Sequence, residues 1–257
     1  MNYTLISVIG CVVLFLGMLL VAYLAYRLGR WRSVETGVAT EGSGALTGAI
    51  FALLGLMLAF TFNGAFSRLD ARRQLIVQES NAIGTAYLRL DLLPPEVQPG
   101  LRESFREYLA SRVAFNKVIK DIPAATEEIT RTMALQDEIW NQAVVGSREA
   151  EYQAARLLLL PALNEMIDIV TTRSIAIQTH PPVIIWVVLS VLALTCAGIA
   201  GYSASAVEHP RYIYMIAFAA ITVLTIYVIL DVEYPSSGFV RLVRENQMLA
   251  NLAEMMK

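Results

Sequence analysis

The sequence predicts an all-α integral membrane protein, with four membrane-spanning helices and a helical water-facing domain between the second and third. Three observations carry that reading. Four long stretches, Met1–Tyr26, Gly42–Ser67, Pro182–Val207 and Tyr212–Leu230, hold no charged side chain. Each is about the 20 helical residues needed to cross a hydrocarbon core of roughly 30 Å. The charges cluster between them: residues 68–180 carry 13 of the 20 Lys and Arg and 15 of the 22 Asp and Glu. Lipid offers no partner to backbone N–H and C=O groups, so the crossing segments must be helices.

Composition agrees. Of 257 residues, 56% are hydrophobic, and mean hydropathy is +0.54, well above an average soluble domain. The formal net charge of −2 gives no basic field for nucleic acid. Cys11 and Cys196 both fall inside spans, where a thiol acts as a small apolar group. His180 and His209 are too few and too far apart for a metal cluster.

The elements follow in order. The first span, about 3–26, has no basic residue ahead of it and is too long for a signal-peptide core, so it is expected to be retained. It ends in Arg27, Arg30, Trp31 and Arg32, the residue types of a membrane–water interface. The second span, about 43–67, carries Gly44, Gly48, Ala52, Gly55, Ala59 and Asn63 at steps of three or four. Such a small-residue face permits close helix packing. No breaker follows, so this helix is expected to continue into water. Leu69, Ile76, Ile83 and Leu90 recur every seven residues, an apolar seam of coiled-coil type. Pro94-Pro95 stops it. Further helices are expected over Pro99–Lys120, Ala124–Val145 and Arg148–Gln178, the last kinked at Pro161. Spans three and four, about 182–207 and 212–230, are joined by the short connection Glu208–Arg211. An acidic turn, Asp231–Gly238, and a tail follow; the tail's Val240, Leu242, Val243, Met248, Leu249 and Leu252 suggest an amphipathic helix. The expected division is 1–67, 68–180, 181–230 and 231–257.

Sidedness rests on basic residues near span ends. A cytoplasmic middle domain places Arg68, Arg72, Arg73, Arg173, Arg241 and Arg244 inside; the reverse places Arg27, Arg30, Arg32 and Arg211 there. Six against four favours both termini and the middle domain inside.

No catalytic set is visible: there is no HExxH, CxxC, GxSxG or phosphate loop, so no enzyme activity and no cofactor is expected. No Asp, Glu, Lys or Arg lies deep within a span, which argues against a proton relay. A passive pore needs no such group, because apolar constrictions and helix dipoles suffice. The candidate lining is Leu54, Leu58, Phe62 and Phe66, spaced by four, with Asn63 as an amide donor. In a symmetric oligomer each becomes a ring. The plainer reading of these residues, and of Gly44, Gly48, Ala52 and Gly55, is helix packing. Asp231 and Glu233 suggest either a cation ligand pair or an interfacial cap; calcium needs six to eight oxygens, so no metal site is assigned.

Phe62-Asn63, the segment Glu79-Ser80-Asn81-Ala82-Ile83-Gly84-Thr85-Ala86-Tyr87-Leu88-Arg89-Leu90-Asp91-Leu92-Leu93-Pro94, and Asp231-Val232-Glu233-Tyr234-Pro235-Ser236-Ser237-Gly238 together resemble the bestrophin-like family of four-span bacterial membrane proteins. The resemblance covers nearly the whole chain. It implies two spans, a helical cytoplasmic domain, two spans and a cytoplasmic tail, in the inner membrane of a bacterium. The more distant resemblance to bestrophins implies a pentamer conducting an anion such as chloride, with span two lining a hydrophobic neck. Calcium-responsive bestrophins carry a dense acidic cluster after the last span; this chain has only Asp231 and Glu233 there. The rival expectation from the residues is a non-conducting scaffold or sensor, whose helical domain binds a cytoplasmic partner while its spans anchor it in membrane lipid.

Overall fold

The computed structural model describes residues 3–36, 44–119, 121–206, 212–235 and 243–256. Those residues form eight α-helices and two short 3-10 turns, with no strand among them. The helices are α1 (Tyr3–Thr36), α2 (Gly44–Leu88), α3 (Gln98–Val118), α4 (Ile122–Gly146), α5 (Gln153–Gln178), α6 (Val183–Ala204), α7 (Tyr212–Glu233) and α8 (Val243–Met255). Four helical segments are long and apolar enough to cross a membrane.

The chain divides into two compact units. One comprises Met1–Leu69 with His180–Val240, the other Asp70–Thr179 with Arg241–Lys257. In the first, α1 packs along α6 and α7. Its core holds Met18, Ala22, Leu189, Ala193, Cys196, Ala197, Ala219 and Ile226, with Leu54 from α2. Small residues bring α1 and α6 together: a Cβ added at Gly201 would lie 2.0 Å from the Ala22 carbonyl oxygen. Two backbones meet there at a distance only glycine allows.

The second unit is a water-type helical bundle. Its core contains Ile76, Ile83, Leu90, Leu101, Phe105, Tyr108, Ile139, Leu159, Leu163 and Met166. The seven-residue seam is buried throughout: Ile76, Ile83 and Leu90 lie in this core, and Leu69, which closes the first unit's stretch of α2, is buried as well. After α2 the turn Arg89–Leu92 leads to the double proline, and Gln98 donates its side-chain N–H to the Leu93 carbonyl at 2.8 Å. The tail helix α8 belongs to this unit, with Leu249 buried in its core and Leu252 packed against it. Val240 and Leu242 lie outside the described residues, as does the expected connection Glu208–Arg211.

Several boundaries differ from expectation. Helix α1 runs to Thr36 and α7 to Glu233, beyond the apolar stretches that close at Tyr26 and Leu230. Neither Arg27 nor Asp231 breaks a helix, whereas Pro235 restricts the residue before it. Asp231 and Glu233 therefore occupy the last turn of a helix, not a loop. The helix expected from Arg148 starts at Gln153. Glu149 is extended (φ −66°, ψ 148°), and a 3-10 turn at Ala150–Tyr152 intervenes. Helix α5 continues through Pro161.

Candidate functional site

Helix α2 is 45 residues long, and its first half has a closed side and an open one. At about 100° per residue, the buried residues Leu54, Thr61, Ala65 and Leu69 fall on one narrow strip. Thr61 returns its hydroxyl to the Met57 carbonyl at 2.7 Å, a common way to hide a hydroxyl in an apolar helix. Roughly 100° around the helix lie Gly44, Gly48, Ala52, Gly55, Ala59, Phe62 and Phe66, and all are exposed. A Cβ at Gly44, Gly48 or Gly55 would meet nothing within 4 Å. Phe62 and Phe66 are 41% and 49% exposed and stack on each other with centroids 6.5 Å apart. Asn63 is exposed at the edge of the same face.

This geometry separates the expected lining residues. Positions four apart drift by about 40° per step. Leu54 consequently faces the bundle core, and Leu58 is half-buried beside it. Phe62 and Phe66 have rotated out onto the open face, where they join the small-residue stripe. Among the four spans α2 is also the least covered: 11% of its most apolar stretch is buried within the chain, against 17–22% for the others.

Where α2 and α7 end in this unit, polar groups gather. Glu233 is fully buried. It accepts from Arg68 Nη2 at 2.7 Å and Arg68 Nε at 2.9 Å, and His180 Nδ1 lies 3.0 Å from its other oxygen. The His180 ring packs on Tyr234 with centroids 4.7 Å apart. A guanidinium fork on a carboxylate is a strong, directional pair. A cation on Glu233 would have to displace it. Among the described residues, no group of three or more His, Cys, Asp or Glu is arranged to hold a metal.

The Bestrophin-like domain family matches residues 10–247. The chain belongs to that family. Crystal structures of single-substitution variants of a bacterial bestrophin homologue from Klebsiella pneumoniae have the same fold as this bestrophin-like chain. One aligns with a TM-score of 0.70 at 16% identity, covering 96% of this chain and 99% of that one. A second gives 0.68 at 14% identity, covering 95% and 98%. A third gives 0.68 at 13%, covering 97% and 96%. No curated protein matches the chain significantly.

In the second unit the bestrophin-like chain buries a charged node that the motif reading passed over. Glu79 accepts from Arg112 Nε at 2.5 Å and from Arg173 Nη1. Arg173 Nη2 also donates to the Asn116 Oδ1. Burial works against the Glu79 charge, but the two guanidiniums outweigh it and hold the carboxyl below its ordinary value. Burial first, with the Glu79 charge adding to it, pushes the neighbouring Tyr108 hydroxyl upward against the opposing pull of Arg112. Arg72 caps α5, donating to the carbonyls of Ala176 at 3.0 Å and Thr179 at 2.9 Å, where the helix dipole favours a cation. A signal for both was present. With Leu69 and Ile76 at one seam position, Arg72 and Glu79 fall three residues on, at the seam's second position, and every such residue from Leu69 to Leu93 is buried. A charge on an apolar seam must find a partner inside.

Proposed function

We propose that this bestrophin-like protein is a homo-oligomeric, anion-permeable channel with α2 against the pore, its helical unit and both termini on the cytoplasmic side of a bacterial inner membrane. The observation that supports this best is the open face of α2. It carries no charge over residues 44–67, it is bare in the single chain, and it changes character along its length. The glycine and alanine stripe makes a wide wall. Phe62 and Phe66 then narrow it, with the Asn63 amide at the edge. Repeated around a symmetry axis, the two phenylalanines become apolar rings that gate by dewetting. Their positive ring edges tolerate an anion better than a cation. Leu54 and the half-buried Leu58 hold the helix in its bundle, and in this reading Leu58 borders the path. A pentamer is the assembly that the family resemblance suggests.

The same open glycines also suit a tight helix pair between two copies, the arrangement a non-conducting scaffold would use. One experiment separates the two. The purified full-length chain is reconstituted in liposomes and chloride efflux is recorded. Efflux that rises on Phe62→Ala or Phe66→Ala, through widening of the ring, supports the channel. Silence in the parent and in both variants, from oligomers of unchanged size, rejects it in favour of the scaffold.

A further inference from the structure

The buried charges of the water-type unit do not balance. Among its described residues, the buried charged side chains are Arg72, Arg112, Arg173 and Glu79. Arg72 is satisfied by the carbonyl end of α5. Two guanidiniums then share one carboxylate, and each takes one of its oxygens. Guanidinium stays charged in proteins. The node therefore holds one net positive charge away from water, which is costly unless something neutralises it.

Two donors are also unmet. Arg112 Nη1 and Asn116 Nδ2 are buried without a hydrogen-bond partner. Turning the Asn116 amide over does not help. Its oxygen already accepts from Arg173, and a guanidinium has no acceptor to offer an NH2 group. Arg112 and Asn116 stand one turn apart on α3, so they share a face. The Phe115 ring lies against the Arg112 guanidinium, 5.0 Å from its centroid, and Arg112 itself is 1% exposed. What the node lacks is one negative charge that accepts from two N–H groups and brings no donor of its own.

We propose that the Arg112–Asn116–Arg173 node binds one small monovalent anion, chloride under ordinary conditions, as a structural ligand of the helical unit. A divalent oxyanion would overshoot the charge and bring oxygens for which this node has no donors. A water would satisfy the N–H groups but leave the charge. The site does not rest on conduction: it is built from the buried Arg112 and Arg173 and the half-buried Asn116 of the helical unit, and a non-conducting protein would hold it equally.

The test uses the full-length protein in detergent. Thermal unfolding is followed in chloride, bromide and gluconate series at constant ionic strength, and crystals grown in bromide are examined by anomalous scattering. A bound halide raises the midpoint with the logarithm of its concentration above Kd, gluconate does not, and a bromide peak sits between Arg112 and Asn116. Arg112→Gln removes the excess charge and the halide response together. Asn116→Asp places a carboxylate where the anion sits. In gluconate it unfolds at or above the parent's midpoint, and it no longer responds to halide. This second variant decides the matter even if Arg112→Gln does not fold. Equal midpoints in chloride and gluconate, no bromide peak at the node, a halide response that survives Asn116→Asp, or an Asn116→Asp chain less stable than the parent in gluconate would each overturn the assignment.

Discussion

Replacing Glu79 by Gln is the most direct probe of what holds the helical unit together. The carboxylate is fully buried and receives one guanidinium on each oxygen. Glutamine keeps the shape but turns one of those oxygens into an NH2 group, so a donor faces a donor, and the buried charge rises from +1 to +2. Removing one partner of a buried pair costs about 3–5 kcal/mol. A domain of this size is stable by about 5–15 kcal/mol, so the change removes a large share of its stability. Trp140 packs against this core, whereas Trp31 and Trp186 lie in the other unit. Denaturation of a W31F/W186F background followed by tryptophan fluorescence therefore reads the helical unit alone. The effect has a pH signature. The folded carboxyl is held below its unfolded value by Arg112 and Arg173, so its contribution is fully present above the unfolded value. It is lost as the pH falls through the lower, folded one. The parent's advantage over Glu79→Gln is accordingly flat at neutral pH and shrinks only in acid, below the ordinary carboxylate range. A loss under about 1 kcal/mol at pH 7, or a parent–variant gap that grows in acid, would refute the idea that the node is buried and tightly paired.

Two further outcomes follow from the membrane-type unit. Gly201→Ala drives a methyl onto the Ala22 carbonyl oxygen and should destabilise the detergent-solubilised protein by an overpacking cost of about 1–3 kcal/mol, read as a lower thermal midpoint. Gly48→Ala, which meets nothing within 4 Å in the chain, should leave the midpoint unchanged where that face borders a pore; a Gly201→Ala midpoint equal to the parent's would mean that α1 and α6 are not in close contact. Glu233→Gln leaves Arg68 and His180 facing a neutral group and should lower the midpoint in the same assay. Calcium or a chelator should leave the parent's midpoint where it is, because both Glu233 oxygens are engaged by basic side chains; a calcium-dependent rise would show that the carboxylate is available to metal.

The fold was largely legible because membranes impose strict rules. Uninterrupted apolar length sets the number of spans, and Pro94-Pro95 and His180-Pro181-Pro182 punctuate the helical unit where its backbone turns. The seam Leu69–Leu90 declared that α2 continues past the apolar region. Helices α1 and α7 run past the ends of their apolar stretches because neither Arg27 nor Asp231 breaks a helix. The four-residue spacing of the proposed lining was legible in the sequence, but the side of α2 on which each residue falls was not. Leu54, Leu58, Phe62 and Phe66 are spaced by four, and the drift of about 40° in that spacing puts Leu54 inside the bundle and the phenylalanines outside. Glu79 escaped notice for a related reason. Its partners, Arg112 and Arg173, are 33 and 94 residues away, and no local pattern links them.

The amino-acid sequence determined by itself that this is a helical membrane protein with a charged helical domain inserted between two pairs of spans, since hydrophobic length and charge placement are local properties. Only the tertiary structure decided which side of α2 is covered and which is bare, that Glu233 is bound by Arg68, and that two buried arginines share one carboxylate. Those facts depend on which distant segments meet. Burial and ion pairing arise from such meetings, and neither is written at any single position along the chain.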